Sequence, residues 1–183
     1  MVSEDYLRDV TIGNLAELSG KIILQEYNPR WEQMFRQQEE RIKQALKGKQ
    51  IHIEHVGSTS VPGLCAKPVI DILLLVEDSS DEDSYVVQLQ DSGYNLRIRE
   101  LEWFAHRMFK GENPEVNLHV FSFGCEEAER MTAFRDRLRA DEEDRLLYAD
   151  TKRRLAAREW KYLQEYADAK SCVVQEILRH IYG

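Results

Sequence analysis

The chain has little cysteine, a deficit of positive charge and no long apolar run. Its three cysteines, Cys65, Cys125 and Cys172, are far apart and odd in number. That excludes a disulfide framework and a C-x-x-C pair, and suits reduced thiols in a cytoplasmic protein. Lysine and arginine total 25 against 33 acidic residues, a net charge of −8. An acidic whole argues against non-specific nucleic-acid binding, because neutralising phosphates needs a basic face. It leaves room for a small basic pocket around one nucleotide. No apolar stretch approaches the roughly 18–20 residues that cross a bilayer, so no membrane partner is expected. The opening Met1-Val2-Ser3-Glu4-Asp5 lacks the basic region and apolar core of a signal peptide. There is no Ser-His-Asp signature, no third His or Cys at zinc spacing, and no G-K-[ST] ending after Gly57 to Gly63.

What is present is ordinary globular material. With 183 residues, 43% hydrophobic and 32% charged, the composition suits one compact domain. Residues 1–20 are weakly patterned and read as an appended helix or tail. Residues 21–125 read as a sheet-rich core, and residues 126–183 as a helical segment packed on it. Lys21 to Tyr27 suggests a strand. Asn28-Pro29 marks a helix start, and Trp31, Met34, Phe35, Gln38, Ile42, Ala45 and Leu46 give that helix one apolar stripe. Ile51 to Val56 predicts a strand, and Val69 to Val76 a central strand covered on both faces. Asp81 to Gln90 suggests a short helix. Tyr94 to Arg99, Trp103 to Lys110 and Asn117 to Phe123 read as three more strands. From Glu126 the period becomes 3.6, with stripes at Met131, Phe134 and Leu138, and at Leu147, Thr151 and Leu155. A last stripe runs through Tyr162, Tyr166, Ala169, Val173, Ile177 and Ile181 as one helix. The expected class is α+β: a mixed sheet of five or six strands flanked by helices, with a helical C-terminal segment.

The stretch Glu54 to Ile72 carries the chemistry. Gly57 leaves a strand and lets backbone approach a ligand closely. Ser58 and Thr59 add hydroxyls, and the turn adds N–H donors, so phosphate is a natural guest. Lys67 brings a compact positive charge. Asp71 stands inside a run of Val, Ile and Leu, where a carboxylate is expensive to bury. It must be paired, hydrogen-bonded, metal-bound or at the strand's end; a partnership with Lys67 or Arg107 is the structural alternative.

A Gly-Ser turn followed by an acid on the next strand resembles nucleotidyltransferases related to DNA polymerase beta. Their two acids on that strand would hold Mg²⁺ against nucleotide phosphates. Here Leu73 or Val69 stands where the second acid belongs. A longer resemblance, over about residues 20–180, is to the GrpB (UPF0157) family. It rests on Glu54 to Ile72, His106 to Phe109, Asn117 to Phe121, Phe134 to Arg139, Tyr148 to Ala156 and Tyr166 to Lys170. The resemblance implies a nucleotidyltransferase-like fold with no assigned reaction. Fusion of some relatives to dephospho-CoA kinase hints at coenzyme A metabolism.

Asn117 and His119 are two apart on a strand and share a side. His119 stands where nucleotidyltransferases place a third acid and is a candidate base, phosphate contact or metal ligand. His55, His106 and Asn117 are candidate ligand contacts. Arg107, in a locally basic stretch with Arg97, Arg99 and Lys110, is a candidate for stabilising developing charge. Glu54 and His55 point to opposite faces, so one of them at most reaches a pocket. Lys152 and Lys170 also match the family pattern, and salt bridges within the helical layer are expected of both. Two readings stand. One is an Mg²⁺-dependent nucleotidyltransferase with Asp71 on the metal and Asp71, His119 and Arg107 catalytic. The other is an incomplete relative that binds a nucleotide or other phosphorylated small molecule without turnover.

Overall fold

The computed structural model describes residues 3–14, 21–160 and 162–183, with the side chains of 163 and 164 left aside. Five strands form one mixed sheet: β1 (His52–Val56), β2 (Ile70–Val76), β3 (Tyr94–Glu100), β4 (His106–Gly111) and β5 (Val116–Ser122). Their order is β1-β2-β5-β4-β3. β2 runs parallel to β5 and every other pair is antiparallel. The helices are α1 (Glu4–Val10), α2 (Arg30–Ala45), α3 (Val86–Asp91), α4 (Glu126–Ala140), α5 (Glu142–Ala156), α6 (Leu163–Ala169) and α7 (Ser171–Tyr182).

The sheet divides the molecule. Ile70, Ile72, Leu74 and Val76 project from β2 to one face, where Trp31, Phe35 and Ile42 of α2 and Leu89 of α3 bury them. The stripe foreseen for α2 is the one that packs, and Asn28 accepts a hydrogen bond from the Arg30 amide at its start, 3.0 Å away. Alternation sends Asp71, Leu73 and Leu75 to the other face. There Leu73 packs with Val56, Phe121 and Ala128 of α4. The C-terminal helices reach the sheet through the turn after β1: Val61, Leu64 and Cys65 are buried against Leu138, Tyr148, Ala149, Val173 and Ile177.

Four local expectations change. Lys21 to Tyr27 is not a strand; its sheet-like contact is a single bridge between Gln25 and Ala66. The helix expected over Asp81 to Gln90 is a 3₁₀ turn (Glu82–Ser84) followed by α3. The inward side of α5 keeps Thr151 and Leu155 of the expected stripe but not Leu147. Leu147 is exposed, while Asp144, Tyr148, Thr151, Lys152 and Leu155 are buried. The last stripe is not one helix either, because the chain breaks at Lys170 between α6 and α7.

Candidate functional site

Gly57 leaves β1 with φ +68° and ψ −173°, a conformation essentially confined to glycine. Asp71 is its cross-strand neighbour, since Val56 pairs with Asp71. A side chain at Gly57 would run into the Asp71 carboxylate. Glycine therefore lets the turn close over the acid. Ser58 to Ser60 form a 3₁₀ turn, with Ser60 Oγ donating back to the Gly57 carbonyl at 2.6 Å.

Parallel pairing sets Asp71 beside Asn117, and antiparallel pairing sets Asn117 beside Lys110. The side chains follow. Asn117 Nδ2 donates to Asp71 Oδ1 at 2.7 Å, and Lys110 Nζ donates to Asn117 Oδ1 at 2.5 Å. Lys152, 2% exposed, rises from α5, donates to Ser58 Oγ at 3.0 Å and to the Cys65 carbonyl, and lies 4.8 Å from the Tyr148 ring centre. Lys170, at the α6–α7 break, lies 4.8 Å from the Tyr166 ring centre. Lys67 enters from the loop before β2. Ser58, Lys67, Asp71, Lys110, Asn117, His119 and Lys170 are all part-exposed, and the charges of Lys67, Lys110 and Lys170 act on Asp71; these groups gather on the sheet face around Asp71, hereafter the recess.

Four lysines from four separate segments thus gather near Asp71, with the charge of Glu115 also felt by Lys67 and Lys110. Among the described residues, none of the four forms a salt bridge with an acidic side chain. Burial pushes Lys67, Lys110 and Lys170 below the ordinary lysine range, and Lys152 down to about 7. Burial also raises Asp71, against the Asn117 hydrogen bond and the charges of Lys170, Lys110 and Lys67. Each of these groups holds its charge at a cost, and an incoming anion would relieve the lysines.

Relatives of this chain are clear. The model of the GrpB protein family matches residues 21–180. The chain belongs to the GrpB family. A UPF0157 protein of Halalkalibacterium halodurans is 54% identical over 177 residues, covering 97% of this chain and 91% of that protein. One of Streptomyces coelicolor is 41% identical over 157 residues, covering 86% and 82%. The crystal structure of GrpB from Enterococcus faecalis superposes with a TM-score of 0.72 at 31% identity, covering 88% of this chain and all (100%) of that one. The Cid1 poly(U) polymerase superposes with a TM-score of 0.53 at 9% identity, over 71% of this chain and 43% of that one. That likeness shows the fold, and the GrpB chain has a nucleotidyltransferase-like α+β architecture.

The fold brings Gly57, Ser58, Lys67, Asp71, Asn117 and His119 to one recess. It sends three other candidates elsewhere. His55 lies on the opposite face, stacked on Phe35 at 4.7 Å, with Glu32 and Thr59 on its two nitrogens. Burial pushes its pKa down to about 4. Thr59 is turned inward, donating to the Val69 carbonyl at 3.1 Å. Arg107 is also on the α2 face, 2% exposed, bonded to Glu82 at 2.5 Å and to the Ala105 carbonyl at 2.8 Å. Arg99 joins it on Glu82. His106 is on the recess face but behind His119, which it meets at 3.1 Å. Glu54 does face away from His55, as alternation requires, and holds Arg135. The salt bridges expected of Lys152 and Lys170 are not found among the described residues; both lysines are at the recess. The signal for Lys152 lay in α5, where it follows Tyr148 by one helical turn.

Proposed function

We propose that the GrpB recess binds a phosphorylated small molecule, nucleotides foremost, and does so as a binding protein rather than by two-metal transfer. The observation that carries this reading is the gathering of Lys67, Lys110 and Lys170 around Asp71 and of Lys152 on Ser58 beside it, with no acidic salt-bridge partner among the described residues. Lysines held this way complement a multiply charged anion. The nucleotidyltransferase-like sheet supports nucleotides as the first class to try.

The donor set does not suit a protein-held Mg²⁺. That ion wants a near-octahedral shell of oxygens. Asp71 offers a single carboxylate, and one of its oxygens already accepts from Asn117. The place of a second acid is taken by Leu73, 1% exposed and packed in an apolar cluster. No group of three or more His, Cys, Asp or Glu side chains among the described residues could hold a metal. Lysine ammonium groups supply the positive charge instead.

Calorimetric titration with ATP and with tripolyphosphate, both in EDTA, tests the reading. Saturable binding is expected for both, weakened at least tenfold in Lys152→Met and by raised salt. Absence of saturable binding, or binding indifferent to a Lys67→Met/Lys170→Met pair, overturns it.

A further inference from the structure

A hydrogen-bond chain lies beside the recess that the function above does not use. Tyr6 donates its hydroxyl to Glu100 Oε1. Glu100 Oε2 is 2.7 Å from His106 Nδ1, and His106 Nε2 is 3.1 Å from His119 Nδ1. The two rings stack at 5.2 Å and 16°, and His106 stacks in turn on Phe121 at 4.7 Å. Burial pushes Glu100 upward, but the hydrogen bonds from His106 and Tyr6 outweigh it and hold the carboxylate below its usual range.

The protons follow from donor and acceptor rules. An ionised carboxylate only accepts, so His106 Nδ1 carries hydrogen. In a neutral ring, His106 Nε2 is then a lone pair. His119 Nδ1 must donate to it, which leaves His119 Nε2 bare. That nitrogen has no hydrogen-bond partner among the described residues. His119 shares its face with Asn117 and Asp71 and stands two residues beyond Asn117, about 7 Å along the strand.

We propose that Glu100 and His106 are positioning residues that fix His119 as the Nδ1–H tautomer, so that Nε2 accepts a hydroxyl or amine hydrogen from the ligand whose phosphate sits among the lysines. This rests on the phosphate reading and narrows its ligand class. The occupant is a phosphate ester that also carries an O–H or N–H donor, as the ribose of a nucleotide does. Inorganic tripolyphosphate carries no alcohol or amine group to serve as that donor. An acceptor left unpaired costs roughly tenfold to a hundredfold in affinity.

Two measurements decide it. ¹⁵N NMR of histidine side chains at about pH 8, above the ordinary imidazole range, is expected to show His119 Nε2 unprotonated in the ligand-free protein. In His106→Phe, which keeps a ring on Phe121, the proton should move to Nε2. Glu100→Gln shifts the same balance should that variant not fold. Calorimetry is then expected to show ATP binding weakened at least tenfold in His119→Phe, with tripolyphosphate binding unchanged. A protonated Nε2 in the parent overturns the proposal, and so does an equal loss for both ligands, which leaves the lysine site standing. If neither ligand binds the parent, the phosphate reading itself has failed, and the acceptor role with it.

Discussion

Replacing Gly57 by alanine tests the contact on which the recess is built. Two costs add. The backbone at φ +68° and ψ −173° lies in a region that other residues enter at about 1–3 kcal/mol. The new Cβ would also sit 2.8 Å from Asp71 Cβ and 2.9 Å from Cγ. Asp71 cannot step aside, because β2 is paired on both sides and Asn117 holds its Oδ1. Forced overpacking adds about 1–3 kcal/mol. Gly63→Ala is the control: φ is +80°, but the nearest atom to a new Cβ is Arg145 Nε at 3.8 Å. Urea unfolding at constant m-value should therefore show Gly57→Ala less stable than Gly63→Ala by about 1–3 kcal/mol. The excess should shrink when Asp71→Gly is combined with it, as coupled neighbours do in a double-mutant cycle. Equal losses for the two alanine variants, or an excess untouched by Asp71→Gly, refute the reasoning.

Lys152 gives opposite pH slopes for stability and binding. Its pKa falls from 10.5 to about 7 on folding, so between those values the unfolded chain binds more protons and its contribution to stability rises with pH. Anion affinity should instead fall as pH climbs above about 7, because binding needs the ammonium form; urea midpoints and titrations at several pH values that move in the same direction count against it. Arg107→Met should cost about 1–3 kcal/mol by stripping the Ala105 carbonyl and Glu82 of a donor, yet leave tripolyphosphate affinity within about twofold, since it faces α2. A tenfold loss of affinity in folded Arg107→Met would return Arg107 to the site. Thr59→Val should lower the urea midpoint by an amount worth about 1–3 kcal/mol by breaking the bonds to His55 and the Val69 carbonyl. No stability change there would show that this link does not support the turn.

Much of the scaffold was legible because the signals are local. The Trp31–Phe35–Ile42 stripe, the apolar run of β2 and the glycine after β1 each encode their own conformation or burial. The inward side of α5 was legible only in part, for a physical reason. Periodicity detects apolar stripes, and beside Thr151 and Leu155 this helix buries two charges that such a stripe does not show, Asp144 against Arg137 and His180 and Lys152 against Ser58. The break at Lys170 was likewise masked by apolar spacing that continues across it.

Sequence alone determined the α+β class, the family and the pairing of a strained glycine turn with one acid in a core strand. The α5 sequence also put Lys152 one turn from Tyr148. Only the tertiary structure decided which charges meet. Alternation separates Arg107 from His106 and Lys110, but which side faces the recess depends on the β4–β5 register. That register is fixed by pairing between distant segments, and a lysine on α5 reaches Ser58 only after the helices have docked on the turn.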